Sequence, residues 1–134
     1  MRPGPVRNHV FPILVALAAI TLGVGVYAYA HRHEGQLRET ERQGAVLVAA
    51  LEAYRREHGV YPDSLPQLVP DHLARIDPPV WGLGRWRYRA YDAPAPAGSP
   101  DTVLRYFHLA APANEANYPV LYYDFVERKW VLNN

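Results

Sequence analysis

Between Arg7 and Arg32 the sequence holds no Asp, Glu, Lys or Arg, and residues 10–30, VFPILVALAAITLGVGVYAYA, make a run of 21 mainly apolar residues. At about 1.5 Å per residue, a helix of that length measures roughly 31 Å, which matches a hydrocarbon core about 30 Å thick. Ten of these residues are Leu, Ile, Val or Phe. Each favours the bilayer centre by about 0.3–0.6 kcal/mol, so insertion is favoured by a few kcal/mol. Pro12 falls in the first turn, where a missing backbone donor costs little. Tyr27 and Tyr29 fall at the interface, where amphipathic rings prefer to sit.

Arg2 and Arg7 precede the run, and Arg32, Arg38 and Arg42 follow it, interleaved with Glu34, Glu39 and Glu41. Acidic residues contribute little to the positive-inside rule. Residues 1–9 are too few to hold a domain, so they are expected as a cytoplasmic tail, with the folded part carboxy-terminal to the span and outside the cytoplasm. A cleavable signal peptide competes with this anchor: Arg2 and Arg7 make an n-region, and Ala28-Tyr29-Ala30 fits a small-x-small cleavage pattern. Against it, the apolar run exceeds the usual h-region of about 7–15 residues, and helical character continues beyond it. In both cases the folded part leaves the cytoplasm.

Residues 34–58, EGQLRETERQGAVLVAALEAYRREH, are rich in good helix formers and contain no proline. Leu37, Gly44, Leu47, Val48, Leu51 and Tyr54 recur at spacings of three, four and seven, which draws one apolar stripe. Glu34 with Arg38 and Glu52 with Arg56 are i,i+4 pairs in the favourable order on the solvated side. The stripe widens after Gly44, so the first turns past the membrane are expected exposed and residues 45–54 half-buried. Gly59 suits the left-handed residue after the helix, with Arg55, Arg56 and His58 beside the negative dipole end. One helix over residues 10–58 would measure roughly 70 Å. The alternative is two helices broken near residues 31–35, because Gly35 is a poor helix former.

After Gly59, Asp63 or Ser64 can cap a short helix carrying Leu65, Leu68 and Val69. Pro70, Pro78 and Pro79 then stop regular structure. Beyond Gly82 the pattern alternates, with Trp86, Tyr88 and Ala90 on one face and Arg85, Arg87, Arg89 and Tyr91 on the other. Residues 103–110, 119–126 and 130–132 have strand composition, and the last two, joined by Glu127-Arg128-Lys129, predict a hairpin. The stretches DAPAPAGSPD and APANEANY are expected as surface loops. The order predicts an α+β fold, a long helix whose stripe is covered by a small antiparallel sheet.

A chain of 134 residues accommodates one small domain beyond the span. Its 14 basic and 13 acidic residues are spread along the chain and give a net charge of +1, so no basic face for nucleic acid is present. With no cysteine, thiol catalysis, zinc–thiolate sites and iron–sulfur clusters are excluded. Ser64, His72 and Asp77, or Ser99, His108 and Asp101, can be assembled on paper into a Ser/His/Asp set, but no nucleophile elbow surrounds either serine. No catalytic residue is assigned, and the chain is expected not to be an enzyme. His31 and His33, at i,i+2, do not face each other on a helix and suit interface flanks better than a shared metal. The ten tyrosines and three tryptophans could line a glycan or peptide groove; Tyr54, Trp86, Tyr88 and Phe107 are expected in the core instead, because large rings are the main burial available.

The run Leu51-Glu52-Ala53-Tyr54, then His58-Gly59-Val60-Tyr61-Pro62-Asp63-Ser64-Leu65, then Leu68-Val69-Pro70, resembles the end of the first helix and following loop of type II secretion major pseudopilins, relatives of type IV pilins. Asp77-Pro78 and Trp81-Gly82, separated here by Pro79 and Val80, resemble the family's aspartate-proline-tryptophan-glycine element leading into the sheet. The match covers residues 44–91, with Leu51, Tyr54, Gly59, Tyr61, Pro62, Leu65, Trp81 and Gly82 as its structural and interaction positions. The resemblance implies a pilin-like arrangement: residues 1–9 a tail, 10–30 transmembrane, and 31–134 a periplasmic lobe of helix (31–58), loop and short helix (59–82) and sheet (83–134). It implies a non-enzymatic subunit in the bacterial inner membrane. The expected partners are the membrane, other pilin-like or secretion-machine subunits and further copies of the chain as a homo-oligomer. A prepilin carries a glycine before an aromatic-Thr-Leu-x-Glu stretch; residues 9–15, HVFPILV, contain neither that glycine nor a glutamate, which points to an uncleaved anchor. The alternative function is a periplasmic ligand-binding module released after Ala30. No metal or other cofactor is expected. Some pseudopilins hold calcium in their sheet loops, and Asp92, Asp101, Asn114, Glu115, Asn117 and Asp124 would supply the oxygens, but no EF-hand spacing is present and such residues are ordinary in loops.

Overall fold

The structure, a computed structural model, describes residues 10–95, 97–98, 100–101, 103–116 and 119–133. The expected tail, with Arg2 and Arg7, lies outside the described residues, as do Ser99 and Asn117. Helix α1 runs Val10–His58 without a break, so Gly35 does not divide it. A 3₁₀ turn follows at Leu65–Leu68, and then come four strands: β1 Arg87–Pro94, β2 Val103–Pro112, β3 Val120–Asp124 and β4 Lys129–Asn133. The chain divides into two units, Met1–Gly35 and Gln36–Asn134.

In the first unit α1 is apolar and long enough to cross a membrane, and none of its apolar window is buried. Phe11, Leu14, Leu17, Ile20 and Leu22 are all exposed. A helix with apolar residues on every side and nothing packed on them suits lipid rather than water. The Thr21 hydroxyl donates to the Leu17 carbonyl at 2.5 Å, so this polar group is satisfied within the helix. Tyr27 meets His31 with ring centroids 4.1 Å apart, and Tyr29 meets His33 at 5.2 Å. The two histidines thus contact different tyrosines, as their i,i+2 spacing dictates.

In the second unit the four strands form an antiparallel meander in the order β1-β2-β3-β4. Its core joins Leu47, Ala50 and Leu51 of α1 to Tyr61, Leu65 and Leu68 of the connecting segment and to Phe107 and Leu109 of β2. A second cluster holds Trp81, Ala111 and Leu121, with Leu37 and Trp130 against it. Burying each Leu or Phe stabilises the fold by about 1.5–3 kcal/mol. Trp86, Tyr88 and Ala90 pack on the core as their alternation predicts. The α+β class with a long first helix and a small antiparallel sheet is therefore the observed one.

Several boundaries differ from those expected. Asp92 and Ala93 belong to β1 and not to a loop, because pairing with β2 continues to Pro94 opposite Val103. Ala111 and Pro112 are buried strand residues, since Ala111 pairs with Leu121 and closes that end of the sheet over Trp81. The β3–β4 turn spans residues 125–128, so Phe125 and Val126 leave the strand. Asp124 fixes this turn, its Oδ1 accepting from the Val126 and Glu127 N–H groups at 2.9 Å each. The side chain of Ser64 caps nothing; Gln67 Oε1 accepts from the Asp63 N–H at 2.8 Å instead. On α1, Leu37 at the start of the stripe is half-buried and Thr40 is fully buried, so burial sets in before residues 45–54.

Candidate functional site

The segment between α1 and β1 gathers most of the residues singled out from the sequence. Gly59 ends the helix with φ of +76° while its N–H donates to the Arg55 carbonyl at 2.8 Å, the bond of a left-handed cap. Tyr61 and Pro62 are buried. The Tyr61 hydroxyl donates to Glu52 Oε1 at 2.7 Å and accepts from Arg55 Nη1 at 3.2 Å. The Arg55 guanidinium also stands over the Tyr61 ring, 5.3 Å from its centroid. Burial, then the bond to the Glu52 carboxylate, pushes the Tyr61 phenol up to about 12. Tyr88 reaches from β1 to donate to the Pro62 carbonyl at 2.7 Å, and burial raises its pKa also. Leu51 and Leu65 lie beneath this network, and Tyr54 packs at its edge.

Trp81 and Gly82 form a second junction. The Trp81 N–H donates to Thr40 Oγ1 at 2.9 Å, and the Val80 N–H to Gln43 Oε1 at 3.2 Å, which ties the loop to α1. Gly82 has φ of +78°, and a Cβ there would overlap the carbonyl of Pro112. That carbonyl accepts from the Leu83 N–H at 3.0 Å. Most of these positions, the exposed glycines apart, therefore face inward. They fix α1, loop and sheet to one another, and Thr40 and Gln43, which the apolar period gave no reason to select, complete the connection.

The oxygen donors considered for calcium are spread over separate elements. Asp92 Oδ1 is 3.5 Å from Arg105 Nε between β1 and β2, Glu115 pairs with Arg85 at 2.7 Å, and Asp124 is occupied by its own turn. Asp101 acts on Arg55 through its charge, and Asn114 lies in the β2–β3 connection. Among the described residues, the only grouping of three His, Asp or Glu with ligand geometry is Glu57, His58 and His72, none of which was assigned a metal from the sequence. Of the two Ser/His/Asp sets, His72 turns to Glu57, Asp77 pairs with Arg75 at 2.7 Å, and His108 stacks on Tyr122.

Tyr91 and Tyr106 stack across β1 and β2 with centroids 5.1 Å apart, and with His108 and Tyr122 they border an open hollow on the sheet. Among the described residues of the second unit, Tyr91, Tyr106 and Tyr122 join neither core cluster. The chain matches no protein-family model, no curated protein and no solved structure.

Proposed function

We propose that the chain is a membrane-anchored, non-enzymatic pseudopilin-like subunit or accessory of a type II secretion or type IV pilus-type assembly, acting through protein–protein contacts. The observation that carries this is the change of character along one unbroken helix. Up to Gly35 its apolar side chains are uncovered, which suits lipid; from Thr40 onward it buries one stripe under an antiparallel meander. A segment of this kind serves as a membrane anchor or as an export signal. The positions from Leu51 to Gly82 that resemble the pseudopilin loop, inward-facing apart from the glycines, give the same support. In this reading the chain crosses the inner membrane once, keeps residues 31–134 in the periplasm and meets other pilin-like or secretion-machine subunits, or further copies of itself. The lack of a prepilin cleavage stretch favours an anchor that stays attached.

The test is fractionation of cells producing the full chain with a carboxy-terminal tag, followed by purification in mild detergent and identification of what accompanies it. The expected result is an intact chain in the carbonate-washed membrane pellet, co-purifying with pilin-like subunits. A soluble periplasmic product beginning after Ala30 would overturn the anchor and establish the released module instead. An intact membrane chain that never carries such subunits would remove the assembly role.

A further inference from the structure

We propose that Glu57, His58 and His72 form a binding site for a first-row transition-metal dication, zinc(II) in the first instance. Their ligand atoms all lie within 4.8 Å of one another. His72 Nε2 is 3.5 Å from Glu57 Oε2. Zinc bonds of about 2.0–2.1 Å in a tetrahedron put neighbouring ligand atoms roughly 3.4 Å apart, so this edge is already at its working length. Glu57 and His58 are exposed, so the site is open to an incoming ion.

Three further features point the same way. His58 Nδ1 lies 3.0 Å from the Tyr54 carbonyl, an acceptor only; the neutral tautomer that donates this bond has its lone pair on Nε2. A ligating histidine held by a backbone carbonyl on its other nitrogen is the usual outer arrangement of zinc sites. Tyr54 also orients both rings, stacking on His58 at 4.0 Å and meeting His72 edge-on at 5.5 Å. The His72 side chain is only 7% exposed, with its Nε2 turned to the carboxylate.

The electrostatics suit a cation. Glu57 and His58 occupy the last turn of α1, where the helix dipole is negative and a lone carboxylate is unfavourable. Arg55 and Arg56 share that turn, but Arg55 is engaged with Tyr61, and the Glu57 carboxylate faces His72, where a dication would meet it. Two imidazoles and one carboxylate select zinc and its neighbours over calcium, which takes six to eight oxygens. Bound there, the ion ties the end of α1 to the turn after Leu68 and leaves a fourth position to water or to a ligand from a neighbouring protein.

The full chain in detergent, freed of metal with a chelator, is titrated with zinc chloride by calorimetry. One zinc per chain is expected. Glu57→Gln and His58→Gln, both at exposed positions, should each weaken it by more than the roughly 10–100-fold that losing an outer partner costs. The pair His31→Gln with His33→Gln should leave it unchanged, and calcium chloride should give no competing heat. Absence of zinc binding, binding that survives Glu57→Gln and His58→Gln, or binding lost with His31 and His33 would each overturn the site. Near-ultraviolet circular dichroism checks that the variants stay folded.

Discussion

Trp130 of β4 fills the space that a side chain on Gly44 of α1 would need: a Cβ built on that glycine overlaps the six-membered ring of the indole. Gly44 therefore lets the last strand close on the helix, and Trp130 in turn meets Trp86 at 5.9 Å and Tyr123 at 5.6 Å. Gly44→Ala gains up to about 1 kcal/mol of helix propensity but forces this aromatic cluster apart, at about 1–3 kcal/mol. The expected net effect is a lower unfolding midpoint for the full chain in detergent. In a double-mutant cycle, Trp130→Leu should relieve part of the Gly44→Ala penalty, whereas simple additivity would mean that the two residues do not meet.

Gly59 and Gly82 have nearly the same backbone, φ of +76° and +78°, in different surroundings. A Cβ on Gly59 meets nothing within 4 Å, while one on Gly82 overlaps Pro112 and approaches Ala113. Gly59→Ala should cost the left-handed penalty alone, about 1–2 kcal/mol. Gly82→Ala adds a clash with backbone that cannot rotate away, so its loss should be the larger by about 1–3 kcal/mol. Denaturant midpoints of the two variants measure the difference, and equal losses would show that the loop at Trp81 is not held against β2.

What was legible in the sequence is what repeats locally. Leu47 and Leu51 declare the buried stripe by their spacing, Trp86, Tyr88 and Ala90 declare the inner face of β1 by alternation, and Gly59 declares a helix end. Strand ends were not legible, because Pro94 and Pro112 have loop composition and are held in the sheet by partners, Val103 and Val120, that only pairing supplies. Thr40 reads as a neutral position on a polar helix and Gly44 only as a member of the apolar stripe; their particular roles depend on Trp81 and Trp130 arriving from far along the chain. His72 was likewise unreadable beside Glu57 and His58, since the connecting loop, not a sequence spacing, brings them together.

Tyr61 links stability to alkaline pH. Its pKa is raised from 10.0 to about 12 in the folded chain by burial, with the bond to Glu52 adding to this. Below pH 10 both states carry the proton and the full stabilisation is present. Between 10 and about 12 the unfolded chain ionises first, so folding stability falls as pH rises. Tyr88, raised in the same direction by burial, contributes with the same sign. Urea midpoints across this range should decline, and the decline should be shallower for the Tyr61→Phe, Tyr88→Phe double variant. An equally steep limb in that variant would place the alkaline sensitivity elsewhere.

Thr40 is the one fully buried polar side chain of the helix among the described residues, and its hydroxyl oxygen is the acceptor for the Trp81 N–H. Thr40→Val keeps the shape and removes the acceptor, leaving a buried donor without a partner at a cost of about 1–3 kcal/mol. Thr40→Ser keeps the oxygen and loses one methyl group, a change of about 0.5–1.5 kcal/mol. A burial role alone predicts that valine is tolerated better than serine, whereas a bonding role predicts the reverse. Hydrogen exchange at the Trp81 amide separates the two: it should quicken in Thr40→Val and stay slow in Thr40→Ser, because only the valine variant releases the loop from α1 and opens Trp81, Ala111 and Leu121 to water.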